Sequence, residues 1–211
     1  AFLRGFWGRR DMADARISGE RLIEAFRRYA YARQHFRLVS RHRHYDIAEV
    51  YRDTTQSEFD DRGVIYLRHG EPDDRARYVD LVVHPNETWA YRRAPDEDLI
   101  FHFVAREDVQ DFKLVESVLD AVDFSLSLTM GGTAARRGYD PSALLMSRAN
   151  ISPLYQQLAV SGSAGTARLL ARERQQGQRS IRVGTTTDDF PLRYERDLNP
   201  VVSSFAVAAP G

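Results

Sequence analysis

Apolar and polar residues follow two rhythms along this chain. Between residues 19 and 38, Leu22, Phe26, Tyr29, Ala30 and Phe36 recur at spacings of three, four and seven, which predicts one amphipathic helix with Ser18 placed to cap it. Arg21, Glu24, Arg27, Arg28 and Gln34 fall on the other side of that helix, the face expected to meet solvent. Further on the rhythm shortens. "VIYLRH" (64–69), "ETWAYRR" (87–93), "LIFHFVA" (99–105) and "DFKLVES" (111–117) are rich in β-branched and aromatic residues and read as strands. In the middle two, Trp89 and Tyr91 share a face of their strand, as do Phe101 and Phe103 of theirs. Asp61-Arg62-Gly63, just before the first run, reads as a tight turn.

The connectors "APDED" and "REDVQ" fit hairpins and are too short to hold a crossover helix, so the sheet should be mainly antiparallel. "SPLYQQLAVSGSAGTARLLARERQQGQ" predicts one or two helices interrupted near Gly162 and Gly165, and "RVGTTTDDFPLRYERDLNPVVSSFAVAAPG" returns to strand-like composition. The expected fold class is α+β. An N-terminal amphipathic helix packs on a mainly antiparallel four-stranded sheet, followed by a helical segment and an extended C-terminal tail. The expected units are residues 1–117 as an α+β domain, 118–180 as a helical or linker segment, and 181–211 as a tail or the start of a truncated β-rich region. No repeat or low-complexity block interrupts this order.

Composition narrows the functions. Thirty basic and thirty acidic residues cancel, so no global field draws in nucleic acid, and no nucleic-acid partner is expected. Lys113 is the only lysine, and the arginine excess is read as compositional bias. With no cysteine, thiolate catalysis, disulfides and cysteine-ligated metals drop out. No apolar run approaches the roughly 18 residues of a membrane span, so any membrane association would come through partners or a missing N-terminal signal. The first residues, "AFLRGFWGRR", lack an initiator Met, which suggests a processed or trimmed start. Phe2, Phe6 and Trp7 are expected to pack onto the domain. The C-terminal segment has no closing element, which suggests a longer protein or a tail held by a partner.

One motif raises a catalytic possibility. Arg68, His69, Gly70 and Glu71 spell the phospho-accepting signature of a histidine phosphatase, which needs a nucleophilic imidazole, phosphate-holding arginines, a second histidine and an acid. Here 67 residues precede the motif, hairpins follow it, and His102 sits inside a strand, so a turn is favoured: Gly70 supplies a permissive backbone, Pro72 fixes φ, and Asp73 with Asp74 completes the bend. His42 and His44, with Asp46 or His35, could hold a metal and serve a metal-dependent hydrolase, but two ligands in a polar stretch do not define a site. "DTTQSEFDD" and "EPDDRAR" lack the alternation of a calcium loop. "GGTAARRG" lacks the residues of a phosphate or dinucleotide loop, and no serine lies in a Gly-x-Ser-x-Gly elbow. No metal or other cofactor is expected. Arg62, beside Asp61 and Gly63, is expected to brace the loop by a buried bidentate bridge to Asp73.

A longer match covers residues 2–117. Trp7, Arg10, Asp11, Glu20, Tyr31, Ala32 and Phe36, then Asp61, Arg62, Gly63, Ile65, Tyr66, Gly70, Pro72, Asp73, Trp89 and Tyr91, keep an order and spacing that resembles the GWxTD-domain proteins of bacteria. The name-giving segment is replaced by Ser57-Glu58-Phe59-Asp60-Asp61, so only its last Asp remains, and the chain resembles a divergent member. The resemblance implies an exported protein, periplasmic or extracytoplasmic, and brings no established reaction; a cytoplasmic location stays compatible with the composition. The expected function is a non-catalytic interaction or structural subunit that contacts other protein chains of an assembly. The alternative is a phosphomonoesterase centred on Arg68-His69-Gly70.

Overall fold

The structure, a computed structural model, describes residues 2–13, 19–39, 58–93, 98–106, 111–123, 140–161 and 163–188. Helices α1 (Phe2–Ala13), α2 (Glu20–His35) and α3 (Asp61–His69) precede strands β1 (Asp74–Arg77), β2 (Asn86–Tyr91), β3 (Leu99–Val104) and β4 (Lys113–Val115). A 3-10 turn (Val118–Ala121) leads to α4 (Ser142–Met146), α5 (Pro153–Val160) and α6 (Ser163–Thr186). The α+β class and the four-stranded antiparallel sheet agree with the sequence pattern; the strand order is β1-β2-β3-β4.

The first strand is not the one expected. "VIYLRH" is the body of α3, and the edge strand is the short β1 that follows it. Asp60 caps α3 by accepting the Gly63 amide at 3.1 Å, Asp61 lies in its first turn, and Arg68 and His69 lie in its last. Asp61, Arg62, Ile65, Tyr66 and His69 are buried, a spacing of one and three that belongs to a helix and not to a pleat. Asp61-Arg62-Gly63 is therefore the first turn of a helix. Gly70 then ends it at φ 73°, where a side chain would be strained.

Strands β2 and β3 are buried along their whole length because helices cover both faces of the sheet. Register places Trp89 opposite Phe101 and Thr88 opposite His102. Trp89, Tyr91, Phe101 and Phe103 all point to one side, into a core with Ala32, Phe36, Ile65 and Tyr66 of the α2–α3 layer. Ala90, Ile100 and Val104 point to the other, into an aliphatic core with Leu144, Leu145, Leu154 and Leu158 of α4 and α5.

Helix α2 matches its expected span, and Arg27 and Gln34 are exposed and Phe36 buried as expected, but its first turns are rotated. Arg21, Glu24 and Arg28 are buried, while Ile23 is 70% and Phe26 59% exposed. The reason lies in α3. Arg28 donates to the Arg68 carbonyl at 2.9 Å, one of the orphan acceptors at the end of that helix, and Glu24 holds the same guanidinium at 2.7 Å. Position Ser18 lies outside the described residues; Gly19 occupies the cap, its amide donating to Asp11 at 2.8 Å.

Helix α6 runs on through Thr186, so residues 182–186, expected to be strand-like, are helical. It lies flush on the sheet. A Cβ at Gly177 would stand 1.9 Å from the Glu116 carbonyl oxygen, so only glycine allows this approach. Among the described residues, strand β4 pairs only with His102 to Val104 of β3, and where it stops the Ser180 hydroxyl accepts the Ile100 amide at 2.9 Å. Residues 189–211, the expected tail, lie outside the described residues.

Candidate functional site

The three side chains of the Arg68-His69-Glu71 motif diverge. Arg68 reaches Asp188 at 3.2 Å, Glu71 reaches Arg75 at 2.8 Å, and the His69 ring is fully buried between them. Its Nε2 lies 2.7 Å from the Gly184 carbonyl oxygen, which can only accept, so the proton sits on Nε2. Nδ1 lies 3.4 Å from Arg93 Nη2. A phosphate acceptor needs a bare ring nitrogen open to substrate; here both are engaged, and Tyr91 and Phe101 flank the ring at 5.4 and 6.0 Å. His102 points to the other side of the sheet, so it cannot serve as the second imidazole.

The remaining motif residues divide between the two ends of α3, the facing strand β2 and helix α1. Arg62 donates through Nε and Nη2 to Asp60 Oδ2 at 2.9 and 2.7 Å, and through Nη1 to Glu87 at 2.9 Å. The expected bidentate bridge to Asp73 is replaced by an ion pair with Asp60 in which both guanidinium N–H groups share one carboxylate oxygen, while Asp73 accepts the Arg92 amide at 2.7 Å. The guanidinium also lies 3.8 Å over the Phe112 ring. Glu87 takes the Trp89 indole N–H at 2.8 Å, Asp61 takes the Leu114 amide at 2.8 Å, and Tyr91 donates to the Gly70 carbonyl at 2.9 Å. Burial pushes Asp60 up to about 6, with Arg62 pulling it back.

Pro72 is buried just beyond Gly70, at the entry to β1. At the N-terminus, Asp11 is buried at the α1–α2 junction and Trp7 is half-buried edge-on to Phe6, whereas Phe2, expected to pack inward, is exposed. These contacts hold α3, the sheet and the N-terminal helices together, and none of them leaves a reactive group facing solvent.

A second cluster escaped sequence reading. On the other side of the sheet, Arg148 is fully buried and donates to the Asn86 side-chain oxygen, to Thr88 at 2.9 Å and to Ser147 at 2.7 Å. The Thr88 hydroxyl lies 3.0 Å from His102 Nδ1, and His102 Nε2 lies 2.9 Å from the Tyr155 hydroxyl and 3.5 Å from Glu173. Glu173 in turn accepts the Val118 amide at 2.9 Å.

Hydroxyl, imidazole and carboxylate stand in the order of a nucleophilic triad, yet Thr88, His102 and Glu173 are all buried and Arg148 already occupies the hydroxyl. Burial, with Arg148 adding to it, pushes His102 down to about 3, so the imidazole is neutral. Burial pushes Glu173 up to about 6, against hydrogen bonds from Ser117 and Val118. The one signal available beforehand was His102 alternating with Phe101 and Phe103, which sets it on the opposite face. Arg148, Tyr155 and Glu173 reach it only through the tertiary fold.

Among the described residues no three acidic or imidazole groups converge to hold a metal ion, and His42, His44 and Asp46 lie outside them. No helix among the described residues is long and apolar enough to cross a membrane. Comparison with known proteins found no matching family model and no match among curated proteins or solved structures.

Proposed function

We propose that the chain is a non-catalytic structural or interaction subunit of a larger bacterial assembly: a divergent GWxTD-domain protein that works outside the cytoplasm, in the periplasm. The observation that carries this reading is the outward apolar face on the first half of α2. Its inner face is filled by Arg21, Glu24 and Arg28, and Ile23 and Phe26 are turned outward. Large apolar side chains one helical turn apart on an open face suit burial by another protein chain. The likeness of residues 2–117 to the family supports the same reading, because Asp61, Arg62, Trp89 and Tyr91 act here as braces.

The alternative, a phosphomonoesterase centred on Arg68-His69-Gly70, is weakened by the two occupied nitrogens of His69. Two measurements separate the readings. Native mass measurement of the protein purified from its source should show companion chains, and these should be lost in the Ile23→Ser/Phe26→Ser variant. A chain that always runs alone overturns the proposal. So does hydrolysis of a generic phosphomonoester that disappears in His69→Ala.

A further inference from the structure

The outward face of α6 is strongly basic. Arg168, Arg172, Gln175, Arg179 and Arg182 are all exposed and follow one another at intervals of four, three, four and three. That interval keeps them in one row, about 21 Å long at 1.5 Å per residue. The only acidic residue of α6 is Glu173, turned inward to His102 and the Val118 amide. Arg174 is held by Glu116 and Asp120, whereas Arg168, Arg172 and Arg182 have no carboxylate partner among the described residues. The backbone of α6 is fixed from beneath by Gly177 against Glu116 and Ser180 on the Ile100 amide, so the row is presented by a rigid element.

We propose that this row is a docking surface for an acidic amphipathic helix of a partner protein, with carboxylates repeating every three and four residues. The proposal rests on the reading of the chain as an interaction subunit and adds a surface that is not on α1 or α2. The occupant follows from chemistry and spacing. Guanidinium forks pair with carboxylates two bonds at a time, and a helix alongside α6 offers them at the same 3.5-residue period. No exposed large apolar side chain of α6 could enter a bilayer, and the row has no aromatic ring for a base to stack on.

The test uses the purified full chain and two synthetic peptides of about 21 residues with identical composition. One carries glutamates at intervals of three and four; in the other they are scattered. Binding is read by fluorescence anisotropy at two salt concentrations, beside phosphatidylglycerol vesicles and duplex DNA. The periodic peptide should bind about tenfold tighter than the scattered one and weaken with salt. Arg172→Gln/Arg182→Gln should lose about tenfold in affinity with an unchanged melting temperature. Equal binding of the two peptides, tighter binding to vesicles or DNA, or an unaffected double variant would each overturn the proposal. Companions found by native mass measurement and lost with Ile23→Ser/Phe26→Ser, but no peptide binding, would remove this inference and leave the interaction reading standing.

Discussion

The two sides of the sheet bury arginine in opposite ways. On the α2–α3 side, Arg62 lies between the carboxylates of Asp60 and Glu87 and over the Phe112 ring. On the α4–α5 side, Arg148 is more deeply buried and, among the described residues, meets only neutral oxygens, those of Asn86, Thr88 and Ser147. Burial pulls Arg148 down, and with nearby Tyr155 and Glu87 partly offsetting it the net value is about 10. A buried charge with a counter-charge fixes geometry at modest net gain, and removing one partner leaves the other stranded. A buried charge with neutral partners is tolerated as long as its hydrogen bonds are complete.

That difference should be measurable. Arg62→Met strands Asp60 in an apolar setting and should cost about 3–5 kcal/mol in urea unfolding. Arg148→Met leaves only neutral acceptors and should cost about 1–2 kcal/mol; equal losses would erase the contrast. Gly177→Ala, which drives a methyl into the Glu116 carbonyl, should cost about 1–3 kcal/mol and speed hydrogen exchange at the Ile100 amide first. If that amide stays protected, α6 is not the element that covers β3.

The next effect depends on pH. His102 is pushed from its ordinary value down to about 3, so its contribution is full above about pH 6.5 and drains as pH falls toward 3. The expected slope is about 1.4 kcal/mol per pH unit. Asp60 and Glu173, pushed up to about 6, have the opposite sign: their contribution is full below the ordinary carboxylate range and is lost as pH rises through about 6. His102→Gln should therefore remove the acid-side loss and keep the loss near pH 6, read as melting temperature against pH. An unchanged acid limb would show that His102 is not the group that titrates. Smallest of all, Ile23→Ser and Phe26→Ser should each stay within about 0.5 kcal/mol of the parent, since both residues are mostly exposed. A larger loss would mean that the α2 face is covered within the chain itself.

Sequence pattern reached the sheet more easily than the helices beside it. Strands β2 to β4 were legible because their aromatic and β-branched residues alternate between short connectors, and that alone gave the antiparallel order. Helix α3 was misread because Val64, Ile65 and Tyr66 favour strands; the Asp60 cap and the burial of Ile65, Tyr66 and His69 on one helical face outweigh that preference. The location of α2 was legible and its orientation was not, because hydrophobicity takes no account of the Arg68 carbonyl that Arg28 satisfies. Of the candidate residues, Arg62 was recognised as a buried brace, but its counter-ion was Asp60, two residues away, where a loop partner had been expected. The Arg148–Thr88–His102 cluster joins three stretches of chain, and no local pattern foretold their meeting.

Because β4 is only three residues long, half of β3 has no strand partner on that edge among the described residues, and α6 is laid across it at Ser180. Peeling α6 away would turn Leu99 to Phe101, all buried and apolar, into a template for strand addition by a neighbouring molecule. A helix in that position would shield the edge, and damage to its small-residue face should then appear as fibrous or insoluble protein before any change in the rest of the fold.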